Sequence, residues 1–428
     1  MNQVISNKYK ETYYEETLEN GLKVVIWHKP NYEKSHFMLA TPLGALDIEQ
    51  VDESGKPYTF EAGIAHFLEH KMFENGDTDV MTLFSQMGAS DNAFTSYTET
   101  AYHFTTSQDP IEPLNLLLDF VQQLSISDES VEKEKGIIIQ ELQMYQQMSD
   151  SRLINETFSS LFHNHPFKHD VGGTVETVNR ITKESLELCY KINYHPSTMI
   201  LVGVTGKDVE PIFKSIKENQ KKKHFEPISS VTRKIVDEPH TVKREEFHFN
   251  MDVTTPKINI AYKMEGIKDP IHRLKMEWAL KIILDCHFSS LNTKYQTWLE
   301  EGIINDFYGY DLEFGEDFGY MMFYTETLKA EEFKKIIHDQ LIRAKNEGVS
   351  AQQFEQLQRR YFGQTIRELN NFDDIAINFM RNYFQNIDFF ESLDLVAKMD
   401  LTDIAEVIQR LDLANVATIY LEPIKEAN

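Results

Sequence analysis

The chain has 428 residues, enough for two or three domains, and 41% of them are hydrophobic, enough for a sizeable core. Its formal charge of −25 and sequence pI near 5.0 argue against nucleic acid or an anionic membrane face as partners, because both are themselves negative. Cys189 and Cys286 lie far apart and exclude a disulfide framework; with no signal-peptide h-region and no apolar run of about 18 residues, a cytoplasmic protein is expected.

Residues 21–45 read as two strands, LKVVIWHKP and HFMLATPLGA, separated by the turn-forming Pro30-Asn31. The following DIEQVDESGKPYTF is polar and reads as a loop. It leads into EAGIAHFLEHKMFEN, Glu61–Asn75, whose small and apolar flanks predict a buried helix. A second helix is expected from Asp79 to a C-cap at Gly88, and residues 90–106 read as a hairpin. Pro110 and Pro113 open another helix, and DESVEKEKGIIIQELQMYQQMSD follows with Asp128 and Glu129 where a helix dipole favours acids. A further helix, the turn LFHNHPFKHD, Gly172-Gly173, the helix ITKESLELCYKINY and the buried strand MILVGVTG complete this half.

The chemistry concentrates in His66-Phe67-Leu68-Glu69-His70. On a helix His66 and His70 lie one turn apart on one face, a spacing that lets two imidazoles grip one ion. H-x-x-E-H is the inverted form of the H-E-x-x-H zinc protease helix. Catalytic zinc keeps an open position where a water binds and its pKa falls to about 7, and Glu69 beside it would act as general base. Such a pattern also arises by chance on exposed helices, but two imidazoles and a carboxylate on a buried helix need partners, and a metal supplies them. In the later helix, Ile137, Ile138, Leu142, Tyr145 and Met148 mark an apolar stripe, with Glu141 on or beside it and Glu134 seven residues earlier. Carboxylates aimed at a core require a positive charge there, so Glu141 is expected as the third ligand of a single Zn2+. His163, His165 and His169 form a second local cluster, but Pro166 breaks any helical register that would align them.

After a short helix near 209–219 the chain becomes rich in proline, serine and charge, marking a boundary that divides it into domains 1–225 and 226–428. The second half repeats the plan strand, helix, hairpin, helix, helix, strand, from KINIAYKMEG to ATIYLEP, without a second H-x-x-E-H. The fold class expected is α+β, two homologous domains each with a mostly antiparallel sheet packed by helices.

These residues resemble the pitrilysin/insulinase family of inverted zinc peptidases, in particular its short bacterial and processing-peptidase-like members. The resemblance is sharp between Gly63 and Pro196. It rests on Gly63–His70 with Met72-Phe73, on Asn92-Ala93-Phe94-Thr95, on Glu134–Glu141, and on His165-Pro166, Gly172-Gly173-Thr174 and Tyr194-His195-Pro196. It implies two α/β-roll domains, an active first and an inactive second. His66, His70 and Glu141 would hold zinc, Glu69 would be the base, Glu134 would support the ligands from behind, and Asn92, Ala93 and Phe94 would pair with an extended peptide. It further implies short or unfolded peptide substrates cut inside a chamber formed by two domain pairs, and hence a homodimer or a heterodimer with a related subunit. The family's second-domain Arg and Tyr are not matched: their positions fall at Trp298 and Asn305, and Tyr308, Tyr310, Arg359 and Arg360, the candidate substitutes, read more simply as ordinary helix or hairpin residues. The alternative is therefore a non-catalytic peptide-binding or scaffold subunit of a heteromeric processing peptidase.

Overall fold

The computed structural model describes residues 1–75 and 78–424, which form two compact units. The first is organised on a seven-stranded sheet in the order Asn2–Ser6, Glu11–Thr17, Lys23–His28, Ile200–Thr205, Ser35–Thr41, Thr100–Thr106, Ala89–Thr95. Strand Ile200–Thr205 runs parallel to Lys23–His28, and every other pairing is antiparallel. Ser35–Thr41 and Ile200–Thr205 are buried along their whole length because both faces of the sheet are covered. On one face Ile26, Phe37, Leu39, Tyr102 and Phe104 share a core with helices Ile64–Met72, Ile111–Val121 and Val209–Lys221. On the other, Trp27 stacks on Tyr13 at 5.1 Å between ring centroids, and Phe379 of helix Phe372–Phe384 sits edge-on to both rings.

The second unit has a five-stranded sheet in the order Glu246–Met251, Val416–Pro423, Lys257–Met264, Gly319–Glu326, Gly309–Phe314. Here the outermost strand, Glu246–Met251, is parallel to its neighbour and the rest are antiparallel. This order matches strands three to seven of the first sheet, so the two units are copies of one α+β plan, as the repeated element order predicts. Helix Pro270–Phe288 occupies the place in the second copy that helix Ile64–Met72 has in the first, and buries Met276, Leu280, Ile283 and Leu284.

Three features depart from the sequence reading. The stretch expected as a polar loop contains strands Glu49–Asp52 and Pro57–Thr59, which pair with each other, and Val231–Arg233 pairs with the free side of Glu49–Asp52 to complete a small sheet. Its residues are polar because the sheet is mostly solvated, so no apolar period marks it. Strands Asn2–Ser6 and Glu11–Thr17 add to the first sheet from a start that is polar for the same reason. The units are also discontinuous: helix Ser149–Leu161 belongs to the second and helix Phe372–Phe384 to the first, whereas the linker places the domain boundary at 225/226. In the second unit Phe158 packs on Tyr320 at 5.0 Å and Thr157 accepts from Asn259 Nδ2 at 3.0 Å. Among the described residues no helix is long and apolar enough to cross a membrane.

Phe379 is 7% exposed and closes the outer face of the first sheet. Phe379→Ala is expected to destabilise that unit by about 3 kcal/mol through the cavity left against Trp27 and Tyr13. Denaturant unfolding followed by tryptophan fluorescence measures it.

Candidate metal centre

Helix Ile64–Met72 begins abruptly at Gly63, whose φ of 93° only glycine adopts without strain. A Cβ there would stand 2.3 Å from the Gly172 carbonyl oxygen, and one on Gly173 would stand 2.3 Å from that of Ala62. Glycines on both sides thus let the turn at 172–173 lie backbone-to-backbone against the helix start. That contact seats the first helical turn, and His66 with it, against the turn. From there His66 and His70 lie on one side of the helix with ring centroids 4.6 Å apart.

Helix Asp128–Gln147 crosses opposite them. Its buried side carries Val131, Ile138 and Leu142, and Glu134 and Glu141 lie along the same side. Glu141 Oε2 stands 3.4 Å from His70 Nε2 and 3.8 Å from His66 Nε2. One ligand atom from each of His66, His70 and Glu141 lies within 4.8 Å of the others. Contacts of this length are loose as hydrogen bonds but match the spacing of atoms that share a zinc ion at about 2.0–2.3 Å each. Glu134 Oε1 meets His70 Nδ1 at 3.0 Å, which leaves Nε2 as the nitrogen turned toward Glu141. His66 Nδ1 is buried with no hydrogen-bond partner. Behind Glu134, the fully buried Lys71 pairs with Glu74 and donates to the Ser130 carbonyl at 3.2 Å.

The electrostatics call for a cation. Burial lowers the His66 pKa to about 4, with His70 adding to the effect, so this imidazole is neutral and free to coordinate. Burial also pulls on His70, but hydrogen bonds to Glu134 and Glu141 outweigh it and raise that imidazole to about 9. Without a metal, then, a proton on His70 supplies the positive charge that the two carboxylates require. Glu141 is lowered by its hydrogen bond to His70; Glu134 is lowered by His70 against the effect of its own burial. Glu69 behaves differently: burial raises it, opposed by a hydrogen bond from Thr95. Two imidazoles and one carboxylate with a hydrogen-bonded support behind them fit a catalytic zinc set.

Asn92, Ala93 and Phe94 lie on Ala89–Thr95, the outermost strand of the first sheet, paired on one side only, with Thr100–Thr106. Asn92 is exposed and Ala93 and Phe94 are half-buried. Thr95 ends this strand and donates to Glu69 Oε2 at 2.8 Å, joining the edge strand to the carboxylate. Sequence alone assigns Thr95 no contact with Glu69; the available signal is a hydroxyl at the end of the edge strand. In the second unit, Trp298 is buried, Asn305 accepts from the Phe307 N–H at 3.0 Å, and the Tyr308 hydroxyl donates to the Phe288 carbonyl at 2.9 Å. The Tyr310 hydroxyl donates to Asp285, Arg360 stands 3.4 Å from the same carboxylate, and Arg359 is paired with Glu355. Among the described residues His163, His165 and His169 form no three-ligand group; His165 faces Asp317 at 3.3 Å and His163 Nε2 meets the Thr241 carbonyl at 3.1 Å.

A duplicated α+β scaffold with an inverted H-x-x-E-H helix in one copy is the arrangement of a zinc peptidase family. The chain belongs to the insulinase family, peptidase family M16: residues 57–175 match the family described as "Insulinase (Peptidase family M16)" and residues 180–361 match "Peptidase M16 inactive domain". It is 34% identical over 413 residues to the uncharacterized zinc protease YmfH of Bacillus subtilis, covering 96% of each chain. It is 28% identical over 259 residues to a probable mitochondrial-processing peptidase subunit beta of Schizosaccharomyces pombe, covering 59% of this chain and 54% of that one. The crystal structure of a putative M16-like peptidase from Alicyclobacillus acidocaldarius superposes with a TM-score of 0.92 at 31% identity, over 97% of this chain and 99% of that one.

Because His70 holds a proton up to about pH 9, an arriving zinc ion must displace it at neutral pH. Affinity is expected to rise about tenfold per pH unit from pH 7 to 9, with one proton released per ion, and to fall further in acid as His66 protonates near pH 4. Calorimetry in buffers of differing ionisation enthalpy counts the proton. Glu134→Gln removes the charge behind His70 and should weaken zinc binding by about 10–100-fold, measured by competition with a chromogenic chelator.

Proposed function

We propose that the chain is a zinc endopeptidase that cleaves short or unfolded peptides held in extended form. The observation that carries this reading is the convergence of His66, His70 and Glu141, within 4.8 Å of one another, beside the Glu69 carboxylate. Bound there, zinc would supply Lewis acidity, polarising a carbonyl and acidifying a water.

The chain's own residues supply the remainder. Strand Ala89–Thr95 offers an unpaired edge, and a peptide adding to it as a further strand would be recognised mainly through its backbone. The Ala93 N–H now donates to Asn92 Oδ1 at 2.9 Å, so a peptide taking that donor displaces the Asn92 side chain. Thr95 holds Glu69 at the end of this strand, where the scissile bond would lie. Burial makes Glu69 a stronger base than an exposed carboxylate, which suits it to accept a proton from the attacking water and return it to the leaving amine. Glu134 orients His70 through Nδ1 throughout.

A second copy of the chain, or a related subunit, would complete the chamber that limits substrates to short or unfolded chains. The mismatch at Trp298 and Asn305 supports a second reading, a peptide-binding subunit that turns over only with a partner. Similarity to a protein named as a processing-peptidase subunit is in keeping with it.

Glu69→Gln is expected to retain zinc and lower kcat on a quenched peptide library by at least about a hundredfold. Equal cleavage by wild type and variant, with zinc content matched, would rule out the catalytic role of Glu69. Turnover by the purified chain alone, lost to a chelator and restored by zinc, argues for the first reading over the second.

A further inference from the structure

On the face of the first sheet turned away from helix Ile64–Met72, two histidines and an aspartate converge. His36 is on Ser35–Thr41 and His103 on the adjacent Thr100–Thr106. The register pairs Thr105 with His36 and His103 with Met38, so the two histidines are diagonal neighbours on one face, with ring centroids 5.2 Å apart. Asp373 comes from the first turn of helix Phe372–Phe384, which covers this face, and its Oδ1 lies 3.3 Å from His36 Nδ1. One ligand atom from each of the three lies within 4.8 Å of the others; among the described residues only His66, His70 and Glu141 form another such group.

Hydrogen bonding accounts for only part of the arrangement. The His36 side chain is 0% exposed. Its Nδ1 is shared between Asp373 and the Thr105 hydroxyl, at 3.0 Å from the latter, and its Nε2 is buried with no partner. Nδ1, the nitrogen that faces Asp373, is the one an ion shared with that carboxylate would take. Asp373 uses Oδ2 for Lys34 Nζ at 3.0 Å, which leaves Oδ1 for the histidines.

We propose that His36, His103 and Asp373 form a second metal site, for a divalent transition-metal ion such as zinc, that clips helix Phe372–Phe384 to the sheet. Two imidazoles and a carboxylate are a ligand set zinc accepts, and ligand atoms about 2.0–2.1 Å from a tetrahedral ion stand about 3.4 Å apart, so modest side-chain rotation closes the group. Asp373 is 38% exposed, which gives an ion a path in and leaves room for a water as fourth ligand. The site ties a segment from late in the chain to two strands from its beginning. An ion held there binds only the folded state and stabilises the first unit by mass action. The inference is independent of the peptidase reading, because no residue is shared.

Metal content separates the two. The full chain, stripped with a chelator and dialysed against zinc, should hold two ions. His103→Ala and Asp373→Asn should each hold one, and the His66→Ala/His70→Ala double variant should also hold one. In that double variant added zinc should raise Tm, and adding Asp373→Asn should abolish the rise. Lys34→Met, which removes the competing cation from Asp373, should tighten the second ion's binding. A wild-type chain holding a single ion that is lost in the double variant and kept in Asp373→Asn overturns the second site. A single ion with the opposite dependence upholds it and removes the metal from the peptidase reading instead.

Discussion

The first unit depends on a pairing of charge across two helices. Glu134 and Glu141 project from the buried side of one, His66 and His70 from the other, and none of the four is stable there without its counterparts. The carboxylates need positive charge and the imidazoles need acceptors, so the crossing is set by electrostatics as much as by apolar packing. The tight glycine contact at Gly63 and Gly173 serves that pairing, because a side chain at either position would push the helix start away from its neighbours. Lys71, buried behind Glu134, extends the network beyond these four residues.

The second unit repeats the scaffold and treats a buried acid differently. Helix Pro270–Phe288, the counterpart of the H-x-x-E-H helix, carries Asp285, which is accepted into the interior by the hydroxyls of Tyr310 and Tyr361 and by Arg360. Hydroxyl donors and a guanidinium do for this carboxylate what imidazoles and a cation would do in the first copy. The same strand order therefore supports a centre that calls for a metal and a closed polar cluster that does not, and the difference lies in a few side chains.

Much of the site was legible in the amino-acid order because its signals are local. His66, Glu69 and His70 are about one helical turn apart, and Glu134 and Glu141 lie beside Ile138 and Leu142, although Ile137, Tyr145 and Met148 of the expected apolar stripe are exposed. The repeated order of elements is likewise visible as recurring apolar patterns. Thr95 escaped because its role exists only through contact with a carboxylate on another element. The cluster of His36, His103 and Asp373 escaped more completely: each is an unremarkable polar residue in its own segment, and only strand register and the return of a distant helix bring them together. The small sheet containing Glu49–Asp52 escaped because solvated strands leave no apolar period to read.

Sequence by itself determined the H-x-x-E-H helix, the spacing of its two histidines, the acids that face them and the duplication of the plan, since each depends on a pattern within a single segment. Tertiary structure alone decided which sheet each helix covers. An amphipathic stripe states that a helix is buried but not against what, and so helices Ser149–Leu161 and Phe372–Phe384 lie in the unit opposite to their place in the chain.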